Sequence, residues 1–374
     1  MISMLRISAK GSEDVQCAIV FANTNSRICA WPCVQGRPGS RATFLHLGLV
    51  VTRPAEGLAH IFRGRRGRTG NPVRDAAAPH ALLIDTGWPG NNGRDADRIV
   101  AVAKKAGINK IDDVLITHFH EDHVGGLPQL VARIPVGTVI DHGDNRESTD
   151  APTVQGWQAY QEFLATKKFS RSTVKPGETL PIGGLQATVI SSDGALIDHP
   201  LTGAGQENAS CKNAEQFPTD QTENRHSLGT LITFGKLKIL DLGDLTRDKE
   251  LELVCPINKL GAIDVYIVSH HGWYQSNSPP FLNAIAPRVA IMDNGAKKGG
   301  TPSAWDIIEK SPRLENLWQL HSEEGGAVHN VAPEFIANPE GPDAANYLEL
   351  TAWPDGSFEV FNSRTQKTVR YPAH

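Results

Sequence analysis

From residue 80 onward the apolar residues alternate between short continuous runs and faces at helical spacing, which predicts strands interleaved with helices. The first run, 81–85, reads as a buried strand ending at Thr86-Gly87. Asn91-Asn92-Gly93 then opens a helix from Arg94 to about residue 106, with Ile99, Val100 and Val102 on its apolar side. Residues 113–117 form a second strand. A helix from about Asp122 carries Leu127, Leu130, Val131 and Ile134. A short strand at Val139 and Ile140, a helix at 153–166 and a strand at 186–190 follow. Residues 192–226 read as a long polar loop, which inside a compact domain usually serves function. A hairpin turns at Gly235-Lys236 between 228–234 and 237–242. Further strands fall near 263–268, 288–293, 346–352 and 357–361, with helices near 246–253, 279–285 and 302–310. The pattern predicts an α/β fold of sheets covered by helices.

Composition narrows the class. The 374 residues suffice for one large or two modest domains, and the apolar and charged fractions are ordinary for a globular chain. No apolar run reaches 18 residues, so no transmembrane helix is expected. Acidic residues interrupt the opening segment before a signal-peptide core forms, and the site of action stays open. Five cysteines, none in a C-x-x-C pair, argue against a cysteine zinc ribbon and a disulfide scaffold. A net charge of −4 argues against a nucleic-acid-coating surface, so no stable nucleic-acid complex is expected. The charge is uneven, however. Residues 1–79 hold 11 Lys+Arg against 4 Asp+Glu, whereas 80–374 hold 26 against 37. Ten of those first 11 basic residues are arginine. The break divides a leader, 1–79, from a domain, 80–374. The leader reads as poorly ordered or non-native, with a basic arm for nucleic acid or anionic lipid as the competing reading.

The strongest chemical signal is Thr117-His118-Phe119-His120-Glu121-Asp122-His123-Val124-Gly125-Gly126. His118 and His120 are two apart on extended chain and point the same way. Asp122 and His123 lie on the turn that starts the helix. Nitrogen and oxygen donors of this kind suit zinc, and manganese or iron less often. Crowding three imidazoles and a carboxylate together without a cation would be costly.

The segment resembles the H-x-H-x-D-H signature of the metallo-β-lactamase superfamily. The other marks of that family come in order: Ile84-Asp85-Thr86-Gly87 before it, then Leu242-Gly243-Asp244, then Ser269-His270-His271-Gly272. The resemblance covers most of 80–374. It points especially to the branch holding the competence-protein hydrolase domain and the phosphorylcholine esterases, where an Asn and a Ser precede the Gly-Asp strand as Asn224 and Ser227 do here. It implies a four-layer αβ/βα sandwich with two zinc ions at one edge. His118 and His120 would hold the first; Asp122, His123 and His271 the second; Asp244 would bridge both. His270 would contact substrate, and Asp122 would also orient the attacking hydroxide or carry its proton. Either histidine of the 270/271 pair remains open as the ligand. Asp85 is expected to orient a ligand from behind, or to cap its strand.

The chain departs from the family at the third histidine of the first metal: 191–193 offers Ser-Ser-Asp, and water or Asp193 could fill the place. His142 follows a strand and could line the pocket. His142, His199, His226, His321 and His329 otherwise read as surface or supporting residues. The implied reaction is hydrolysis by a metal-bridging hydroxide. The small-molecule substrate is expected to be a phosphoester or phosphodiester, with a lactone, thioester or β-lactam, or an impaired protein keeping the fold, as alternatives. Lys297 and Lys298 read as a phosphate contact or as a solvated turn. Trp88, Trp157, Trp273 and Tyr274 read as an aromatic wall at the mouth or as ordinary packing.

Members of the branch open with a hairpin before the I-D-T-G strand. Residues 62–75 lack it, yet with permissive codons the same bases read one position later give F-V-D-V-E-G-G-Q-A-T-L-F-V-T. A frameshift restored near 76–79 is therefore expected, with loss of that hairpin leaving a bare sheet edge.

Overall fold

In the computed structural model, the described residues are 80–373 apart from 168, 183–184, 325–328 and 340–344, together with the backbone of short strands within 4–20 and at 60–64. Two mixed sheets form the body. In the first, His60–Gly64 pairs antiparallel with His80–Ile84, and Ile111–Leu115, Val136–Asp141 and Ser170–Thr173 follow in parallel. In the second, Thr179–Leu180, Gln186–Ser192, Gly229–Phe234 and Leu237–Asp241 run antiparallel. Val265–Ile267, Val289–Met292, Asn316–His321 and Ile336–Asn338 continue it in parallel. Leu348–Ala352, Phe358–Asn362 and Lys367–Tyr371 make a separate antiparallel meander, which Cys17–Val20 joins at its edge.

Strand alternation sorts the core into two bodies. Ile239, Val265, Ile267 and Ile291 join one buried cluster with Leu82–Ile84 of the first sheet and Ile99, Val102 and Ala103 of the helix Arg94–Lys105. Their neighbours Leu240, Tyr266, Ala290 and Met292 face outward, beneath Phe281, Leu282 and Ile285 of the helix Pro279–Ile285 and Ile308 of Pro302–Glu309. Parallel strands buried on both faces read as continuous apolar runs, which is why V-Y-I and V-A-I-M are strands. The result is the expected α/β metallo-β-lactamase arrangement of mixed sheets and flanking helices.

Three expectations change. The helix predicted from Asp122 is two short ones, Glu121–Val124 and Leu127–Val131, parted at Gly125-Gly126. A Cβ on Gly126 would stand 2.1 Å from the Thr86 carbonyl oxygen, so the parting lets the signature press against the Asp85-Thr86-Gly87 turn. The edge along His80–Ile84 is not bare, because the His60–Gly64 backbone pairs with it over five residues. Apart from the short strands within 4–20 and at 60–64 the leader lies outside the described residues, and so does the frameshift expectation for 62–75 beyond Gly64. Finally, Cys211 and Cys255 form a disulfide across a separation of 44 residues, pinning the 192–226 loop to the end of the helix Arg247–Val254. A single staple of this kind leaves no spacing signature.

Candidate metal centre

The site lies where strands of both sheets end. His118 and His120 come after Ile111–Leu115, Asp244 after Leu237–Asp241, and the His270-His271 turn after Val265–Ile267. The last two strands are parallel neighbours, so the loops at their carboxyl ends emerge on one side. His270 and His271 adopt left-handed backbone, φ 53° and 55°. Such conformations cost of order 1–3 kcal/mol per residue and persist only when their surroundings impose them. Here Gly300 and Thr301 donate backbone N–H groups to the carbonyls of His271 and Gly272, both at 2.9 Å. Gly299 passes so close that a Cβ there would lie 2.0 Å from the His271 oxygen.

His118, Asp122, His123, Asp244, His270 and His271 are all buried, and His120 is partly so. Their donor atoms converge. Asp244 Oδ2 lies 3.5 Å from the Nε2 atoms of His123, His270 and His271, and 3.9 Å from that of His118. Asp122 Oδ2 lies 3.5 Å from His123 Nε2 and 3.4 Å from His271 Nε2. His118 Nε2 and His120 Nδ1 are 3.0 Å apart. Two ligands bound tetrahedrally at about 2.1 Å from one ion stand about 3.4 Å apart. The observed separations are close to that edge length and long for hydrogen bonds. Accordingly His123 Nε2, His271 Nε2 and Asp244 Oδ1 are buried with no hydrogen-bond partner among the described residues. Two adjacent triads, His118/His123/Asp244 and Asp122/His123/His271, thus fit a metal site. Electrostatics agree. Burial opposes ionisation of both carboxyls, yet Lys298 and His123 hold Asp122, and His271, His123 and His270 hold Asp244, well below the usual carboxylate range. Burial lowers His270 to about 4, leaving it neutral.

Asp85 sits behind His123, as expected. Its Oδ2 meets His123 Nδ1 at 2.7 Å and accepts from Thr117 Oγ1, while its Oδ1 accepts from Thr117 N. Ser227 Oγ accepts from Asp244 N, and Asn224 Nδ2 lies 3.5 Å from His270 Nε2. The lysine pair splits: Lys298 Nζ contacts Asp122 beside Trp88, whereas exposed Lys297 faces Glu324. Trp273 lies near His270 and Tyr274 is exposed beside it, but Trp157 packs on Phe119 and Tyr160. Asp193, the expected alternative ligand, has both its oxygens gripped by Arg146 at 2.6 Å. His142 bonds Glu223 instead of lining the pocket. His226 meets Asp193, His199 pairs with Asp198 and His329 with Asp306; His321 ends a strand. Sequence reading missed Glu147, whose Oε2 is 3.1 Å from His120 Nε2, and Asp293, 3.6 Å from His271 Nδ1. Neither stands in a motif; both come into place only through folding.

The family profile described as Metallo-beta-lactamase superfamily matches residues 80–206, which contain the signature and the turn it packs against. Over this segment the chain is similar to the metallo-β-lactamase superfamily. It is 26% identical over 234 residues to ComE operon protein 3 of Bacillus subtilis (strain 168), covering 58% of this chain and 26% of that protein. It is 30% identical over 105 residues to a hydroxyacylglutathione hydrolase of Rhodopseudomonas palustris (strain HaA2), covering 28% of this chain and 33% of that protein. The chain therefore spans about a quarter to a third of the length of these curated relatives. A solved metallo-β-lactamase fold protein of Bacillus subtilis is similar at a TM-score of 0.39 and 11% identity over 72% of this chain and 91% of that one, too loosely to carry an argument. Among the described residues no helix is long and apolar enough to cross a membrane.

Proposed function

We propose that this chain is a metal-dependent hydrolase of phosphoesters or phosphodiesters, built on residues 80–374. His118, His120 and Asp244 are assigned to one cation, Asp122, His123 and His271 to a second, with Asp244 shared. The observation that carries the reading is the buried set of donor atoms spaced as ligands, among which His123 Nε2 and His271 Nε2 have no hydrogen-bond partner among the described residues. Divalent cations held there, zinc or alternatively manganese or iron, would acidify a water and polarise the bond to be cleaved. The chain's own groups do the rest. Asp122 would also orient the attacking water or take its proton. His270, neutral at working pH, borders the site beside Asn224 and contacts the substrate. The Lys298 ammonium, partly exposed over Trp88 and paired with Asp122, would offer its charge to an anionic substrate oxygen.

A thioester is the second reading, favoured by the relatives named hydroxyacylglutathione hydrolase. The test loads the protein with zinc or manganese and measures turnover of bis-p-nitrophenyl phosphate, S-lactoylglutathione and a lactone. Phosphodiester turnover is expected to dominate. Lys298→Met should raise its KM about tenfold, the loss of one charge-assisted contact. Preference for the thioester, or no phosphodiester turnover by protein holding two cations, would overturn the phosphoester assignment.

A further inference from the structure

We infer that Glu147 is a positioning residue for His120, gripping its Nε2 so that Nδ1 is the atom presented to the cation. The inference rests on the metal-centre reading and deepens it. His120 is the loosest of the converging imidazoles: its side chain is 23% exposed, against 0–1% for His118, His123 and His271. Packing alone leaves its ring free to turn. The ring is instead held at Nε2, 3.1 Å from Glu147 Oε2, while Nδ1 faces His118 Nε2 at 3.0 Å. A neutral imidazole carries one N–H and one lone pair. Donation from Nε2 to the carboxylate leaves the Nδ1 lone pair aimed at the space beside His118.

The neighbouring imidazoles are arranged in the opposite sense. Asp85 Oδ2 stands 2.7 Å behind His123 Nδ1, and Thr117 Oγ1 is 3.1 Å from His118 Nδ1. Each of these presents Nε2, whereas Glu147 reverses the choice at His120. An oxygen behind a ligating histidine sets its tautomer and its angle.

Glu147 is itself secured. Its Oε2 also accepts from Glu223 N at 3.0 Å, and Asn145 bonds its backbone at both N–H and carbonyl. The Glu223 carboxylate in turn accepts from Arg146 N and from Phe119 N, the residue between His118 and His120, and meets His142 Nε2 at 3.0 Å. The 142–147 loop is therefore tied to the signature itself. This gives His142 and Glu223 a place as supports of that loop.

The test uses protein labelled with 15N-histidine, the His120 signals being identified by their loss in His120→Asn. In metal-free wild type at neutral pH, His120 is expected to carry its proton on Nε2. Glu147→Ala should shift it toward a tautomer mixture. Chelator competition should then show one cation bound about 10–100-fold more weakly and the other unchanged. Glu147→Gln keeps a carbonyl acceptor, so it should hold the tautomer and lose less affinity. A wild-type His120 protonated on Nδ1 would overturn the inference even if the alanine variant failed to fold. So would Glu147→Ala weakening both cations alike, or neither. Wild type that binds no cation would overturn the metal-centre reading, while the tautomer measurement would still decide the role of Glu147.

Discussion

Asp85→Asn tests whether a ligand of the second cation depends on the carboxylate behind it. Asp85 is fully buried and accepts from Thr117 N at 2.8 Å, from Thr117 Oγ1 at 2.7 Å and from His123 Nδ1 at 2.7 Å. Its backbone is left-handed at φ 58°, a conformation asparagine tolerates well, so the substitution adds no backbone strain. Burial raises the Asp85 pKa, against the pull of His123 and Thr117, so the charge removed is one the metal-free fold holds at a cost. An amide satisfies Thr117 N with its oxygen and turns its NH2 toward His123. His123 Nδ1 must then accept, which moves the proton to Nε2, the atom facing Asp122 and Asp244. A ligand of the wrong tautomer should lower cation affinity about 10–100-fold, or about 1.4–2.7 kcal/mol. The metal-free variant should melt close to wild type. At fixed excess metal, the metal-dependent gain in melting temperature should shrink by about 3–10 °C. Calorimetry with and without zinc measures both. Equal zinc affinity in Asp85→Asn and wild type would refute the orienting role.

Asp244→Asn should cut turnover at least about 100-fold and lower the bound cations from two toward one with unchanged circular dichroism, because an amide cannot neutralise two cations; unchanged turnover and metal content would refute the bridging role. Reducing Cys211–Cys255 opens a loop across 44 residues, which by chain entropy removes up to about 4 kcal/mol. Urea midpoints with and without reductant check this, and equal midpoints would count against the staple. Burial pushes Glu250 up to about 7 against the N–H groups of Ser278 and Asn277. An acid whose folded pKa lies above its unfolded value, about 4.5, keeps its proton longer when folded. Its contribution is therefore full below about pH 4.5, falls as pH rises to about 7, and is flat above. Glu250→Gln should remove up to about 3 kcal/mol of that decline, and a wild-type–variant difference equal at pH 5 and pH 8 would refute it.

The converging residues were legible because His118, His120, Asp244 and the His270-His271 turn follow strands and Asp122 and His123 open the short helix after the first of these. Alternation points His118 and His120 the same way, and the Gly-Asp and His-His segments extend parallel neighbours in one sheet. Partners supplied by folding were not legible. Ser170–Thr173 is polar and exposed throughout and is a strand only because Val136–Asp141 offers it an edge. The N-L-W-Q-L-H strand Asn316–His321 is buried at five of six positions and lacks the alternation that marks a half-exposed strand. Glu147 lies in a polar loop that looks like any other, and Cys211 reaches Cys255 only when that long loop folds back.

The His270/His271 choice shows why local sequence stops short even inside a motif. On extended chain, consecutive side chains point to opposite sides, so one histidine would face the cluster and the other away. Both residues are instead left-handed, and both reach Asp244 with Nε2 at 3.5 Å. What separates them is the second carboxylate. His271 Nε2 is also 3.4 Å from Asp122 and is 1% exposed, whereas His270 has Asn224 and Ser276 beside its two nitrogens. That distinction requires Asp122 and Asp244 to stand on either side of one imidazole. Asp122 comes from the first sheet's loops and Asp244 from the second's, so the discrimination belongs to the packing of the two sheets. The tight passage of Gly299 past His271 then locks the turn in the form that satisfies both acids. A side chain at position 299 should therefore disturb His271 before His270, weakening the cation assigned to Asp122, His123 and His271 while leaving the one at His118 and His120 in place.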